Sequence, residues 1–113
     1  MMVHMGGIRI PKGAIAEITL TSKTGWKVTL NARLDTGASM SSIDSRLAAA
    51  LGFEPILDDV RVIKSSLGKE IRQVVSLPIL YDGQEHHCRF NLADRSNLSF
   101  PILLGRDFLF PQP

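Results

Sequence analysis

From Trp26 to Leu34 the chain alternates without a break, and Trp26, Val28, Leu30, Ala32 and Leu34 fall on one face. A period of two is the mark of a strand buried on one side. The run ends in Asp35-Thr36-Gly37-Ala38, so the strand delivers a carboxylate, then a hydroxyl, then a residue without a Cβ. A hydrolase that activates water between paired carboxylates needs this order. Asp35 supplies the carboxylate and Thr36 a hydroxyl to lock the loop. Gly37 brings a backbone N–H close to the acid because nothing projects from its Cα. The tripeptide alone also suits an ordinary turn with a local aspartate cap, so its meaning depends on its surroundings.

Those surroundings are strands. Residues 8–12 carry Pro11 and suit an edge strand or a lead-in loop. Residues 14–21 are β-rich, and Ser22-Lys23-Thr24-Gly25 reads as the hairpin loop into the Trp26 strand. After the acid turn, residues 38–43 read as extended. Asp44 or Ser42 then caps a helix of about two turns over residues 45–51, closed by Gly52. Residues 60–66 and 69–75 flank Leu67-Gly68 as a second hairpin, and its return arm runs on to the Asp82-Gly83 turn. In the next strand His86, Cys88, Phe90 and Leu92 share one face, and Glu85, His87, Arg89 and Asn91 the other. A polar loop over residues 94–99 leads to a short buried strand at residues 100–104 and a helical turn at 105–109, stopped by Pro111 and Pro113. Strands at this spacing predict an all-β fold, a small closed barrel with one or two short helices.

Size limits what the acid turn can do. With 113 residues the chain is one domain, and a second copy of so large a motif does not fit. A net charge of +2 with no basic cluster argues against nucleic acid, as does the single Trp and single Tyr. Cys88 is the sole cysteine, which excludes an internal disulfide and leaves the redox compartment open. No apolar run is long enough to span a bilayer and no signal peptide is visible. Residues 1–7 read as a vector-derived start with a restriction-site scar, expected to be disordered, and residues 8–113 as a single domain. A membrane anchor outside this chain stays open on that reading.

Two other chemistries can be weighed from the residues. His86-His87-Cys88 invites a zinc site, but neighbours on a strand point to opposite faces, so His86 and His87 cannot share an ion. His86 with Cys88 is two ligands, too few, and no metal or other cofactor is expected. Ser39, Ser41 and Ser42 have no histidine placed near them, so their hydroxyls are expected to serve loop backbone rather than nucleophilic attack.

About seventy residues after the acid turn stands Ile102-Leu103-Leu104-Gly105-Arg106-Asp107. An acid-loop strand followed by a hydrophobic-hydrophobic-glycine turn resembles the retropepsin-like aspartic proteases. The resemblance covers residues 14–110. It implies that the second block threads beside the acid loop, with Leu104, Gly105 and Arg106 supporting it and Gly105 letting the backbones approach. It also implies that the hairpin between the blocks is a flap, tipped by Leu67, Gly68 and Lys69. Residues 92–98 leading into 101–106 are similar to a bacterial branch labelled ATP-dependent zinc proteases, often encoded beside ATP-grasp glutamate ligases. That likeness leaves periplasm, membrane anchorage and cytoplasm all open. Viral members place an aspartate after the alanine as partner for the arginine; here Ser39 stands there, and Arg106 lacks that partner.

Together these lines predict an aspartic endopeptidase acting on a peptide or protein. The chemistry needs two carboxylates sharing one proton, one as base toward water and one hydrogen-bonding the scissile carbonyl. One acid turn per chain implies a homodimer with Asp35 of each subunit on the two-fold axis and Thr36 bonding across it. Two carboxylates that close cannot both ionise, which sets an acidic to mildly acidic optimum. Ala38 offers no hydroxyl to the pair, which moves the optimum upward. The competing reading is a catalytically inactive peptide-binding or assembly domain on the same barrel.

Overall fold

The computed structural model describes Met2–Met5, Ile8–Pro11 and residues 13–111. Of residues 1–7, Met1, Gly6 and Gly7 lie outside the described residues, as do Lys12, Gln112 and Pro113. Met2–Met5 (β1) pairs antiparallel with Ile8–Pro11 (β2) as a separate two-stranded hairpin.

Ile15–Thr21 (β3) and Lys27–Leu34 (β4) form the next hairpin, with Ile18 opposite Leu30. The alternation from Trp26 is graded in depth. Ala32 is fully buried, Val28, Leu30 and Leu34 are half-buried, and Trp26 at the rim is 47% exposed. Ser42–Asp44 (β5) leads directly into the helix Ser45–Ala50 (α1). Val60–Ser65 (β6), Gly68–Tyr81 (β7) and Gln84–Ala93 (β8) follow, then Ile102–Leu104 (β9) and the helical turn Arg106–Leu109 (α2).

The sheet runs β3-β4-β9-β5-β8-β7-β6 and closes where Thr19 and Leu20 of β3 pair with Leu80 and Ile79 of β7. Six strands form the closed barrel and β6 stands outside it. Inside lie Ile18, Leu20, Ile43, Val75, Leu77, Ile79, Phe90, Ile102 and Leu104, all at most 1% exposed. Their removal from water is the principal stabilising term, about 1.5–3 kcal/mol for each large side chain. The fold is thus the small all-β barrel with two short helices that the strand pattern predicts.

Helix α1 is too short to persist on propensity and is held at both ends. The Asp44 carboxylate accepts from the Arg46 N–H at 3.2 Å, and Gly52 takes the left-handed backbone at φ 88°. Burial works against the Asp44 charge. The N–H of Arg95 and the side chain and N–H of Arg46 outweigh it, so its pKa is lowered.

Two local readings shift. Residues 38–43 are not extended throughout: the backbone turns at Thr36-Gly37, bends at Ser39-Met40 and becomes strand only at Ser42. Buried serines escape a pattern built on apolar alternation, because hydrogen bonds rather than side-chain hydrophobicity admit Ser41 and Ser42 to the interior. In the second hairpin Ser65 pairs with Gly68 and Lys64 with Lys69, so the two-residue loop is Ser66-Leu67. Gly68, at φ 119°, supplies the backbone that follows the turn.

Candidate active site

Strand β4 sets Asp35 at its end, and β9 holds it there. The N–H of Asp35 donates to the Leu104 carbonyl at 2.9 Å, extending the parallel β4–β9 ladder by one step. The chain then doubles back. The N–H of Ala38 donates to the Asp35 carbonyl at 3.3 Å, and that of Gly37 to Asp35 Oδ1 at 2.9 Å. A Cβ on Gly37 would stand 3.1 Å from that same oxygen, so the absence of a side chain lets the carboxylate sit over the turn. Asp35 is half-buried.

The second block is laced to this loop. A Cβ at Gly105 would lie 2.8 Å from the Ala38 carbonyl oxygen and 2.9 Å from the Met40 carbonyl carbon, closer than any side chain tolerates. The N–H of Arg106 donates to Ala38 O at 2.9 Å and that of Asp107 to Ser39 O at 3.3 Å. Arg106 Nη1 reaches across 70 residues to the Thr36 carbonyl at 2.9 Å. The Arg106 guanidinium thus bonds main chain rather than a side-chain carboxylate.

The Ser41 hydroxyl serves loop backbone as expected, while Asp107 and Asn91 carry weight that the sequence does not announce. The Asp107 carboxylate accepts from the Ser41 N–H at 3.0 Å and from Ser41 Oγ at 2.7 Å. Ser41 Oγ in turn accepts from the Gly105 N–H at 3.0 Å. Asn91, 2% exposed, accepts from Ser42 Oγ at 2.7 Å and donates to the Ser41 carbonyl at 3.1 Å. Asn91 sits on the polar face of β8, where the alternation predicts solvent. The signal that would have found it is an amide among charged neighbours, a residue able to donate and accept at once.

Over the loop stands the β6–β7 hairpin, with Leu67 98% exposed at its tip and Val62 opposite Ile71. Beneath it are two cavities that share Ser39, Met40, Val62 and Ile63. The inner one, about 340 Å³, touches Gly37 and Ala38 and is lined by four cations, Lys64, Arg72, Arg95 and Arg106, with no carboxylate. Burial pulls the Arg95 pKa down, aided by the charges of Arg72 and Arg33 and opposed by those of Asp44 and Asp35. The outer cavity, about 650 Å³, extends past His86, Cys88, Asp107 and Phe108.

Burial pushes the Cys88 thiol up to about 12, with the Asp107 charge adding to it and a hydrogen bond with Ser41 opposing. At neutral pH it is a protonated packing group, not a nucleophile. His86 lies edge-on to the Phe108 ring at 5.1 Å. Among the described residues no group of three or more His, Cys, Asp or Glu side chains is arranged to hold a metal.

The sequence matches no family model and no curated protein. Solved structures do match. The EIAV protease, solved with the inhibitor HBY-793, superposes with a TM-score of 0.62 at 26% identity over 83% of each chain. The simian foamy virus (mac) protease gives 0.59 at 18% identity, over 88% of this chain and 99% of that one. A Legionella pneumophila protein of unknown function gives 0.56 at 22% identity, over 88% of this chain and 85% of its own. At such identities the last two speak to fold alone. The closed barrel, its two short helices and its projecting hairpin are the fold of the retropepsin-like aspartic proteases.

Proposed function

We propose that the protein is an aspartic endopeptidase whose active unit is a homodimer, with water activated between the Asp35 side chains of two subunits. The observation that carries this is the acid loop: a half-buried carboxylate over a glycine turn, stitched to a distant Leu-Gly-Arg block. One carboxylate takes the proton of the attacking water while the other, protonated, hydrogen-bonds the scissile carbonyl. The hairpin closes over the bound peptide and excludes solvent. In this reading Thr36 bonds across the two-fold axis, and Leu104, Gly105 and Arg106 back each loop. The finer likeness to the bacterial branch rests on residues 92–98 and 101–106 and is part of the proposal.

The test is incubation of wild type and Asp35→Asn with a peptide library across acidic and mildly acidic pH. Wild type is expected to cleave, and the variant to lose at least about a hundredfold, the usual weight of an acid–base group. Peptides bound but never cut by wild type would instead identify an inactive binding domain.

A further inference from the structure

The hairpin leaves the barrel at one point. From Val74 to Tyr81, β7 is paired to β8, whereas from Gly68 to Gln73 it is paired only to β6. Val74 faces Asn91, so Asn91 sits beneath the fulcrum of the projecting arm. Two residues out along the arm, Arg72 reaches back diagonally and donates from Nη1 to Asn91 Oδ1 at 2.9 Å. Its other bond, from Nη2 to Glu70 at 3.1 Å, stays within the arm. Arg72 Nε is buried with no hydrogen-bond partner among the described residues. The Asn91 amide is therefore the guanidinium's one bond to the barrel among those described.

The same amide holds the acid loop. Its Oδ1 has two lone pairs; one takes Arg72 and the other Ser42 Oγ. Its Nδ2 donates to the Ser41 carbonyl, which also accepts the Asn91 main-chain N–H at 3.0 Å. Ser41 is bonded onward to Asp107 and Gly105. A continuous run of hydrogen bonds thus joins the hairpin's hinge to the residues behind Asp35. Aspartate at position 91 would lack the donor for Ser41, and an apolar residue would lack both arms.

We propose that Asn91 is a positioning residue that couples the hairpin's hinge to the acid loop, so that displacing Arg72 loosens the loop holding Asp35. The link to catalysis rests on the peptidase reading above, but the coupling itself is measurable without substrate. The experiment is amide hydrogen exchange on the full chain as wild type, Arg72→Met, Arg72→Lys and Asn91→Asp. Arg72→Met cuts the arm on a part-exposed strand, so folding is retained. It is expected to speed exchange roughly fivefold at the Ser41 and Asn91 amides as well as along β6, with β3–β4 unchanged, the size of one lost hydrogen bond. Arg72→Lys restores part of this. Asn91→Asp, which keeps an acceptor for Arg72 and Ser42 and removes the donor, is expected to loosen Ser41 while β6 stays slow. Exchange in Arg72→Met that rises only along β6, or equally throughout the barrel, overturns the coupling. Absence of any cleavage by wild type would overturn the peptidase reading and leave the exchange result standing.

Discussion

Gly105 is the most tightly hemmed of the described glycines. Its Cα faces the main chain of Ala38 and Met40 at distances no Cβ can occupy, and backbone cannot swing aside as a long side chain can. Gly105→Ala is therefore expected to cost about 1–3 kcal/mol through overpacking. Because the displaced atoms belong to the acid loop, activity should fall further than stability does. Thermal melts beside peptide cleavage measure the two, and an active variant that merely melts earlier would contradict this. Asp44 makes a second residue-level prediction. Its pKa is lowered in the folded chain from 3.8, so its charge stabilises the fold above that value. The contribution is lost as pH falls through the lowered pKa. Asp44→Asn keeps a capping oxygen and removes the charge. It should be less stable than wild type in denaturant at neutral pH, and the gap should close well below pH 3.8.

At the scale of elements, the hairpin gives two predictions. Gly68 holds φ 119° with nothing near its missing Cβ, so Gly68→Val strains the tip without a clash. Turnover should drop more than stability, and unchanged kinetics would count against a flap. The cation-lined inner cavity should favour peptides with acidic side chains, by an amount that shrinks as salt rises. Matched peptides carrying glutamate or lysine, assayed at low and high salt, measure this. The strands and the turn at Asp82-Gly83 were legible in the sequence because alternation and turn chemistry are local signals. The bend at Ser39-Met40 and the burial of Ser41 and Ser42 were not, since those serines are buried by partners that arrive from residues 91 and 107. For the same reason Asp107 stood in view beside Arg106 with no role assigned. A single-residue periodicity cannot show which distant acceptor a hydroxyl will meet.

At the scale of the molecule, the proposed chemistry needs two carboxylates, and the sequence carries one Asp-Thr-Gly turn. Residues 106–109 form a helical turn, and β1–β2 is a hairpin that pairs with no barrel strand among the described residues. In the proposed dimer the two acid loops meet, and the N-terminal segment or the loops are expected to supply much of the contact. Such an interface makes the free subunit prominent on dilution. The direct measurement is specific activity against enzyme concentration, repeated with a fixed amount of wild type and an excess of Asp35→Asn. Activity per subunit is expected to rise with concentration, and the variant to poison wild type by forming mixed dimers. Activity per subunit that stays flat through the dissociation range, with no effect of the variant, would contradict a site shared between two Asp35 side chains.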